Sequence, residues 1–312
     1  MVSSNRPVEL VEVGARDGLQ NEKVVFDTAS KLSLINRAID AGVKRLEVAS
    51  FVHPKRVPQM ADAEAVIAGL PDSKDITYIG LVLNKRGVLR AIETRAGGKR
   101  GIDEVGAVAV ATDGFAQANQ GQTRAESVEV AGDIIRLAKA EGMTGQITLS
   151  ASFGCPFEGY VDPAVVVDMA KRSADFEPRE IAIADTIGVG VPSQVTDLVG
   201  RLKEAVGHIP LRAHFHNTRN TGIANAWAAY VAGVDTLDAS LGGMGGCPFA
   251  PKATGNIATE DLVYMLQQSD VEVGVSLEKL ITAADWLGEK LGRPVPAMVA
   301  HAGGFPQPEM TD

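Results

Sequence analysis

Cysteine is scarce in this chain, which holds only Cys155 and Cys247 among its 312 residues. A secreted protein stabilised by disulfides carries more cysteines at paired spacings, so the chain does not fit that class. Long apolar runs are also missing, because no stretch reaches the roughly 20 residues that a membrane span needs. No charged and apolar leader opens the sequence. We therefore expect a cytoplasmic protein without a membrane partner.

An excess of positive charge is absent too. The formal net charge is −9, whereas a nucleic-acid binder carries a basic stripe, so no nucleic-acid partner is expected. The hydrophobic content of 45% over 312 residues is enough to bury one large core. Because no linker divides the chain, residues 1–292 are predicted to form one catalytic domain with a flanking C-terminal helix. Residues 293–312, which are rich in proline and glycine, are predicted to be a loosely ordered tail.

The hydrophobic pattern alternates between short β-rich runs and longer segments with apolar residues at helical spacing. Eight runs predict strands, at Val8–Val13, Arg45–Ala49, Thr77–Leu83, Glu104–Val110, Gln146–Ser150, Glu180–Ala184, Leu211–His216 and Thr236–Ser240. Helical segments separate these strands, and two more, Thr259–Gln268 and Leu277–Leu291, follow them. This order predicts an α/β fold, a (β/α)8 TIM barrel with a short C-terminal helical extension. An open doubly wound sheet is the alternative, weakened because no G-x-G-x-x-G follows the first strand.

Polar residues suited to catalysis follow the ends of the predicted strands. In chain order they are Arg16 and Asp17, Glu47, Asp185, His214 and His216, and then Cys247 and Asn256. A β/α barrel brings the carboxyl ends of all its strands to one rim, where such enzymes hold their active sites. The sequence therefore predicts a single site at this rim.

The sharpest local pattern is His214-Phe215-His216. Residues two apart on a strand share a face, so both imidazoles point the same way and Phe215 points to the other side. Two neutral imidazoles on one face can hold a metal ion, and a structural histidine pair is the alternative. With oxygen ligands from Asp17 and Asn256, the set favours Mg²⁺ or Mn²⁺.

Four glycines lie between Gly242 and Cys247. Such a run predicts a mobile loop that closes over a substrate; a bent connection with an inert cysteine is the alternative. The run lacks the Lys-Ser/Thr ending of a P-loop, so binding of a nucleoside triphosphate is not expected. Arg16, directly after the first strand, has a guanidinium suited to stabilising an enolate oxygen as it gains charge.

Taken in order, these residues resemble the 3-hydroxy-3-methylglutaryl-CoA lyases, metal-dependent TIM-barrel enzymes related to isopropylmalate and homocitrate synthases. The resemblance runs from about residue 8 to residue 291. It rests on the segments EVGARDGLQNE (12–22), SFV (50–52), PK (54–55), GCPFEG (154–159), DTIGVG (185–190), HFH (214–216), GGCPF (245–249) and GNIATEDL (255–262). The cysteine in the glycine loop separates the lyases from the condensing synthases.

The resemblance implies a role for each matching residue. It implies that Asp17, His214, His216 and Asn256 bind the metal and that Arg16 stabilises the enolate. Acid–base or supporting roles fall to Glu47, Asp185 and Cys247, with Cys247 the first choice for the acid and Asp185 or His214 the alternative. Glu260 is implied to hold Arg16 or the metal site from behind.

The implied reaction is the cleavage of a 3-hydroxy-3-methylglutaryl-CoA-type thioester to acetyl-CoA and acetoacetate by a retro-Claisen step, as in leucine degradation. Coenzyme A enters as part of this small-molecule substrate, and the chain is expected to form a homo-oligomer.

Two departures from the family pattern concern the acyl group. Arg219 replaces a tyrosine beyond the second histidine, and Thr148 stands where a tyrosine is common. Both residues are therefore predicted to influence substrate selectivity.

Three other functions remain as alternatives. The first is a lyase for another branched 3-hydroxyacyl-CoA, such as citramalyl-CoA or a longer 3-hydroxy-3-alkylglutaryl-CoA. The second is a condensing synthase, against which the presence of Cys247 argues. The third is a non-catalytic barrel that binds coenzyme A or a metal. That alternative predicts losses among Arg16, Asp17, His214 and His216, and all four are present.

Overall fold

A closed barrel forms the centre of the molecule in the computed structural model, which describes residues 6–246 and 254–306. Its strands are β1 (Glu9–Glu12), β2 (Arg45–Ser50), β3 (Thr77–Leu81), β4 (Glu104–Val110), β5 (Thr144–Ser150), β8 (Ile181–Asp185), β9 (Leu211–Phe215) and β10 (Thr236–Ala239). Each strand pairs in parallel with the next, and β10 closes onto β1. The predicted (β/α)8 barrel is therefore confirmed.

Helices connect the strands and surround the barrel. They are α1 (Thr28–Asp40), α2 (Ala63–Ala68), α3 (Lys85–Glu93), α4 (Asp113–Gln120), α5 (Arg124–Ala140), α6 (Pro163–Ala174), α7 (Pro192–Val206) and α8 (Gly222–Ala232). Pro163 and Pro192 lie in the first turns of α6 and α7, where the missing N–H of proline costs no hydrogen bond. Among the described residues, no helix has the length and apolar character needed to cross a membrane.

Two small elements were not predicted. Helix α4 follows β4 directly, and it is too short, with too few large apolar residues, to give a helical period. A hairpin of β6 (Gly154–Cys155) and β7 (Gly159–Tyr160) lies outside the barrel, between β5 and α6. Its strands of two residues each are shorter than any alternation that a sequence can display.

The C-terminal part packs onto the barrel through α9 (Thr259–Gln268), α10 (Leu277–Leu291) and α11 (Met298–Ala302). Lys279 of α10 donates to the carbonyl of Asp40 at 2.9 Å, at the end of α1. The Asp261 carboxylate accepts the backbone N–H groups of Met298 and Val299 at 3.2 and 2.7 Å, which fixes the start of α11. The predicted C-terminal helical extension is thus present, and α11 lies within the segment predicted as a tail.

Charged side chains fill the amino-terminal end of the barrel interior. Arg45 is buried and donates to both oxygens of Glu180 and to both oxygens of Glu104, and it also reaches Glu9 at 2.9 Å. Because burial removes these groups from water, each charge depends on its partners for stabilisation. The amino-terminal end of the barrel interior is therefore a layer of ion pairs, which we call the ionic layer. It lies at the opposite end of the barrel from the carboxyl ends of the strands.

We expect Arg45→Ala to destabilise the protein by about 3–5 kcal/mol, because it removes the cation that two buried glutamates share. The measurement is the free energy of unfolding in urea. Arg201→Ala is the matched control. Its partner Asp197 lies at 2.9 Å, but both side chains are about half exposed, so the loss there is at most about 1 kcal/mol. Equal stability of the two variants would contradict the structural role of the ionic layer.

Candidate active site

A pocket of about 1440 Å³ opens at the carboxyl ends of the strands. Its inner wall comes from the strands and the loop after β1, and it includes Arg16, Asp17, Glu47, His214 and His216. These residues are far apart in sequence, and the barrel brings them together as predicted.

Arg16 lies in a single π-helical turn, Gly14–Gly18, directly after β1. Its Nη1 donates to Asp17 Oδ1 at 2.6 Å and its Nη2 donates to Glu47 Oε2 at 2.9 Å. The two carboxylates hold the guanidinium plane in one orientation, and Arg16 Nε is buried without a hydrogen-bond partner among the described residues. The side chain is therefore held in place before any ligand enters, and one of its donors is not used by the protein.

The predicted metal ligands converge. Ligand atoms of Asp17, His214 and His216 lie within 4.8 Å of one another. Asn256 follows β10 in sequence, and its Nδ2 donates to Asp17 Oδ2 at 2.9 Å, while its Oδ1 is buried without a hydrogen-bond partner among the described residues. Phe215 points to the opposite side and is buried in the hydrophobic core, as the strand alternation predicts.

The charges of these groups suit a cation. Burial alone raises the pKa of the Asp17 carboxyl, but Arg16, His214 and His216 outweigh it and hold that pKa far below its usual range. Burial, together with the neighbouring His214, lowers the pKa of His216 to about 4. At neutral pH, Asp17 is therefore an anion and His216 is neutral, which are the forms that bind a metal ion.

Asp238 on β10 is a functional residue that the sequence reasoning missed. It is buried, and its Oδ1 lies 2.7 Å from His214 Nδ1, while its Oδ2 accepts from Arg212 Nε at 2.7 Å. A carboxylate on one imidazole nitrogen fixes the tautomer and the ring orientation, which leaves Nε2 of His214 for a ligand. The signal was present in the sequence, because Asp238 and Arg212 lie on the inward faces of their strands.

The loop after β10 approaches Asn256 closely. Asn256 Nδ2 donates to the carbonyl of Met244 at 2.9 Å. A Cβ atom at Gly245, which has φ of +127°, would lie only 2.5 Å from that nitrogen, so only glycine fits there. Cys247 lies outside the described residues, and the predicted role of the loop that carries it stays a prediction.

A family model described as HMGL-like matches residues 7–287, which is most of the chain. The chain belongs to the HMGL-like family. The (R)-citramalyl-CoA lyase of Chloroflexus aurantiacus is 42% identical over 311 residues, with 96% of each chain covered. The hydroxymethylglutaryl-CoA lyase YngG of Bacillus subtilis is 38% identical, over 94% of this chain and 96% of its own.

Solved structures of the HMGL-like family agree with the fold. The Bacillus subtilis HMG-CoA lyase superposes with a TM-score of 0.90 at 38% identity and covers 95% of this chain and 97% of its own. An HMG-CoA lyase from Acinetobacter baumannii, solved with coenzyme A and 3-methylmalate, gives a TM-score of 0.91 at 36% identity and 99% coverage of both chains. The predicted enzyme class, a carbon–carbon lyase of the hydroxymethylglutaryl-CoA lyase type, is confirmed.

Asp185, Glu260 and Arg219 were assigned roles through the resemblance to this family, but the structure does not bring them to the pocket. Both carboxylate oxygens of Asp185 accept backbone N–H groups, from Val189 and Gly190, each at 2.9 Å. Burial raises the pKa of the Asp185 carboxyl. As placed, Asp185 holds the loop after β8 and is not among the described residues that line the pocket.

Glu260 lies behind the loop after β10. Its carboxylate accepts the backbone N–H of Gly242 at 2.9 Å, and burial raises its pKa to about 8. Among the described residues its side chain makes no hydrogen bond to Arg16. Beside it, Glu12 accepts from Gly14, Leu241 and Thr259, and so ties the β1 turn to the β10 loop. Glu260 and Glu12 thus support the site from behind, mainly by accepting hydrogen bonds from backbone N–H groups of the two loops.

The two departures from the family pattern have different environments. Thr148 lines the pocket, and its Oγ1 donates to Gln146 Oε1 at 3.1 Å. Arg219 is exposed, and its Nη1 donates to the carbonyls of Ile187 and Gly188 at 3.2 and 2.8 Å. Arg219 therefore contacts the β8 loop, and it is not one of the described residues that line the pocket. Its predicted influence on the acyl group stays a prediction.

Proposed function

We propose that this protein uses a divalent ion, Mg²⁺ or Mn²⁺, to cleave a 3-hydroxy-3-methylglutaryl-CoA-type thioester to acetyl-CoA and acetoacetate. The observation that carries the proposal is the convergence of Asp17, His214 and His216 within 4.8 Å, with Arg16 hydrogen-bonded to Asp17 at 2.6 Å. A cation-binding cluster and a fixed guanidinium side by side suit a reaction that passes through an enolate.

The residues of the cluster fit a hard divalent cation. Two imidazoles and a carboxylate converge there, and Oδ1 of Asn256, which has no hydrogen-bond partner among the described residues, offers a further oxygen. The donor set contains no thiolate among the described residues, which suits Mg²⁺ or Mn²⁺ better than a structural zinc. Asp17, His214, His216 and Asn256 would hold the ion, and Asp238 would keep His214 in the binding tautomer.

The ion, when bound, supplies Lewis acidity that lowers the pKa of the tertiary hydroxyl of the substrate. Loss of the hydroxyl proton leads to cleavage of the bond between C2 and C3, and the electron pair passes to the acetyl-CoA fragment as an enolate. Arg16, which Glu47 and Asp17 orient, stabilises the enolate oxygen as its charge develops. A nearby acid then returns a proton to the enolate carbon, and Cys247 is our first choice for it.

The outer part of the pocket supports a coenzyme A ester as the substrate. Exposed cationic side chains line the mouth, from Arg56 after β2 and from Lys85 and Arg86 in the first turn of α3. Phosphate groups bind readily to such cations and to a helix N-terminus. A long pocket with a cationic mouth and a metal-binding inner end suits a thioester whose acyl group reaches the ion while its nucleotide stays outside.

Citramalyl-CoA is the second candidate substrate. The citramalyl-CoA lyase of Chloroflexus aurantiacus is 42% identical to this chain, more than the 38% of the Bacillus subtilis hydroxymethylglutaryl-CoA lyase. The two substrates share the tertiary hydroxyl and the thioester, and they differ by one methylene before the carboxylate.

The experiment that tests the function is a substrate panel. The purified protein, loaded with Mg²⁺ or Mn²⁺, is assayed with hydroxymethylglutaryl-CoA, citramalyl-CoA and a longer 3-alkyl analogue, and the products are identified by mass. We expect acetyl-CoA from the first substrate together with acetoacetate. Acetyl-CoA with pyruvate from citramalyl-CoA alone would favour the second candidate. The absence of acetyl-CoA with every substrate and either ion would contradict both.

We expect Cys247→Ser to reduce kcat roughly 10²–10⁴-fold, the usual contribution of a positioned acid, without lowering the melting temperature. The reason is that a serine hydroxyl is a far weaker acid than a thiol. Alkylation of the Cys247 thiol should also inactivate the wild-type protein, because it removes the proton that the thiol would donate. Cys155→Ser is the matched control, because Cys155 is buried and contacts Thr112 Oγ1 at 3.0 Å. Normal turnover by Cys247→Ser would move the acid role to another group.

A further inference from the structure

Arg212 is a buried pocket residue whose guanidinium is only partly hydrogen-bonded by the described part of the chain. Its side chain is only 4% exposed and lines the pocket. Nε donates to Asp238 Oδ2 at 2.7 Å, but Nη1 is buried without a hydrogen-bond partner among the described residues. The carboxylate oxygen Oε1 of Glu180 lies 3.6 Å from Nη1, beyond hydrogen-bonding distance. A buried charged donor without a partner is costly unless a ligand supplies one.

The position of Arg212 relates it to the reacting atoms. It lies two residues before His214 on β9, so both side chains face the barrel interior, and its Cα is roughly 6–7 Å deeper. In the strand register, Arg212 is level with Ala182 on β8, which is level with Thr148 on β5. An alanine therefore lies between Arg212 and Thr148 at the level just below the metal ligands.

The charges at the inner end of the pocket are compatible with an anion there. Arg16 and Arg212 face the carboxylates of Asp17, Glu47 and Asp238. The two guanidinium groups and three carboxylates together carry a single net negative charge. A bound divalent ion would make the net charge of this group positive. With the ion in place, a substrate carboxylate therefore enters a positive environment, and the guanidinium of Arg212 lines the pocket with only its Nε hydrogen-bonded to a described residue.

We propose that Arg212 binds the acyl carboxylate of the substrate through its guanidinium and thereby determines which 3-hydroxyacyl-CoA is accepted. This inference rests on the proposed function and adds the specificity of the same site. It gives to Arg212, on the pocket floor, the influence on the acyl group that the sequence alone suggested for Arg219. Gln146 and Thr148 complete this floor as polar, uncharged neighbours.

The test compares two thioesters that differ only in the carboxylate. One is hydroxymethylglutaryl-CoA, or citramalyl-CoA if that is the better substrate. The other is 3-hydroxy-3-methylbutyryl-CoA, which keeps the thioester, the hydroxyl and a methyl group but lacks the acid. With Mg²⁺-loaded protein, Arg212→Met should lower kcat/KM for the acid-bearing substrate roughly 10–150-fold, the range for a hydrogen bond to a charged group. The inhibition constant of the acid-free thioester should change less than about threefold.

Two variants separate recognition from structure. Arg212→Lys keeps the charge but not the forked geometry, so it should fall between the wild type and Arg212→Met, and it serves if the methionine variant does not fold. Arg179→Met is the matched control. Arg179 donates to Glu104 at 2.9 Å in the same ionic layer, but it is not one of the described residues that line the pocket. Both kinetic constants should stay unchanged in Arg179→Met.

Each remaining outcome decides the proposal. Equal losses for both thioesters, or a fall in Mg²⁺ affinity that accounts for the loss, would show that Arg212 acts only through Asp238 and His214. A wild type that does not distinguish the two thioesters would also overturn the inference. If the wild type cleaves no acyl-CoA, the proposed function fails, and calorimetric dissociation constants of the two thioesters still decide the role of Arg212.

Discussion

Arg16→Ala should lower kcat roughly 10²–10³-fold while the dissociation constant of the thioester stays nearly the same. The guanidinium interacts most strongly when the enolate oxygen gains charge, so its loss raises the barrier by about 2.7–4 kcal/mol without weakening the ground-state complex. Single-turnover kinetics at saturating substrate, combined with calorimetric binding, measure the two effects separately.

Arg16→Lys serves as a companion variant. Lysine keeps the charge but cannot contact Asp17 and Glu47 through two separate arms as Arg16 does. We expect it to recover only part of the lost rate. Arg201→Ala is an exposed control, because Arg201 pairs with Asp197 at the surface and is not one of the described residues that line the pocket. A kcat for Arg16→Ala within about threefold of the wild type would show that the enolate role is wrong.

Removal of the divalent ion should abolish turnover, and adding Mg²⁺ or Mn²⁺ back should restore it. His216→Ala removes one of the three groups that converge within 4.8 Å, so it should weaken metal binding strongly. Asp238→Asn should weaken it roughly 10–100-fold, since Asp238 orients the metal ligand His214 but is not a ligand itself. Isothermal titration with Mn²⁺ measures both affinities.

His208→Ala provides the matched control for this series. His208 is exposed at the end of α7 and lies outside the cluster, so its replacement should leave metal affinity unchanged. Full activity after exhaustive chelation, with the absence of metal verified by elemental analysis, would contradict the metal mechanism. An Asp238→Asn variant with wild-type affinity would remove the orienting role of Asp238 but leave the ligand set intact.

Much of the site was predictable because strands impose a strict alternation of side chains. His214 and His216 share a face for that reason alone, and the barrel brings Arg16, Asp17 and Glu47 to the same rim. The same rule, applied two residues further back from His214, also identifies Arg212. It was overlooked because a buried arginine within a strand carries no motif.

Loop residues could not be predicted in the same way. Asp185, Glu260 and Arg219 follow strands or begin helices, and their partners are backbone groups of neighbouring loops. Which backbone N–H or carbonyl lies within reach depends on loop conformation, and hydrophobic periodicity contains no record of it. The sequence therefore predicted where these three residues lie in the chain, but not where their side chains point.

The sequence by itself determined the barrel, the rim and the set of residues that meet there, because hydrophobic period and strand order fix which ends converge. Only the tertiary structure decided which polar atoms are paired. Asp238 joins Arg212 to His214 across 26 and 24 residues of sequence, while Nε of Arg16 and Nη1 of Arg212 have no hydrogen-bond partner among the described residues. Hydrogen bonds form over about 3 Å, so pairing depends on side-chain geometry that only the packed barrel fixes.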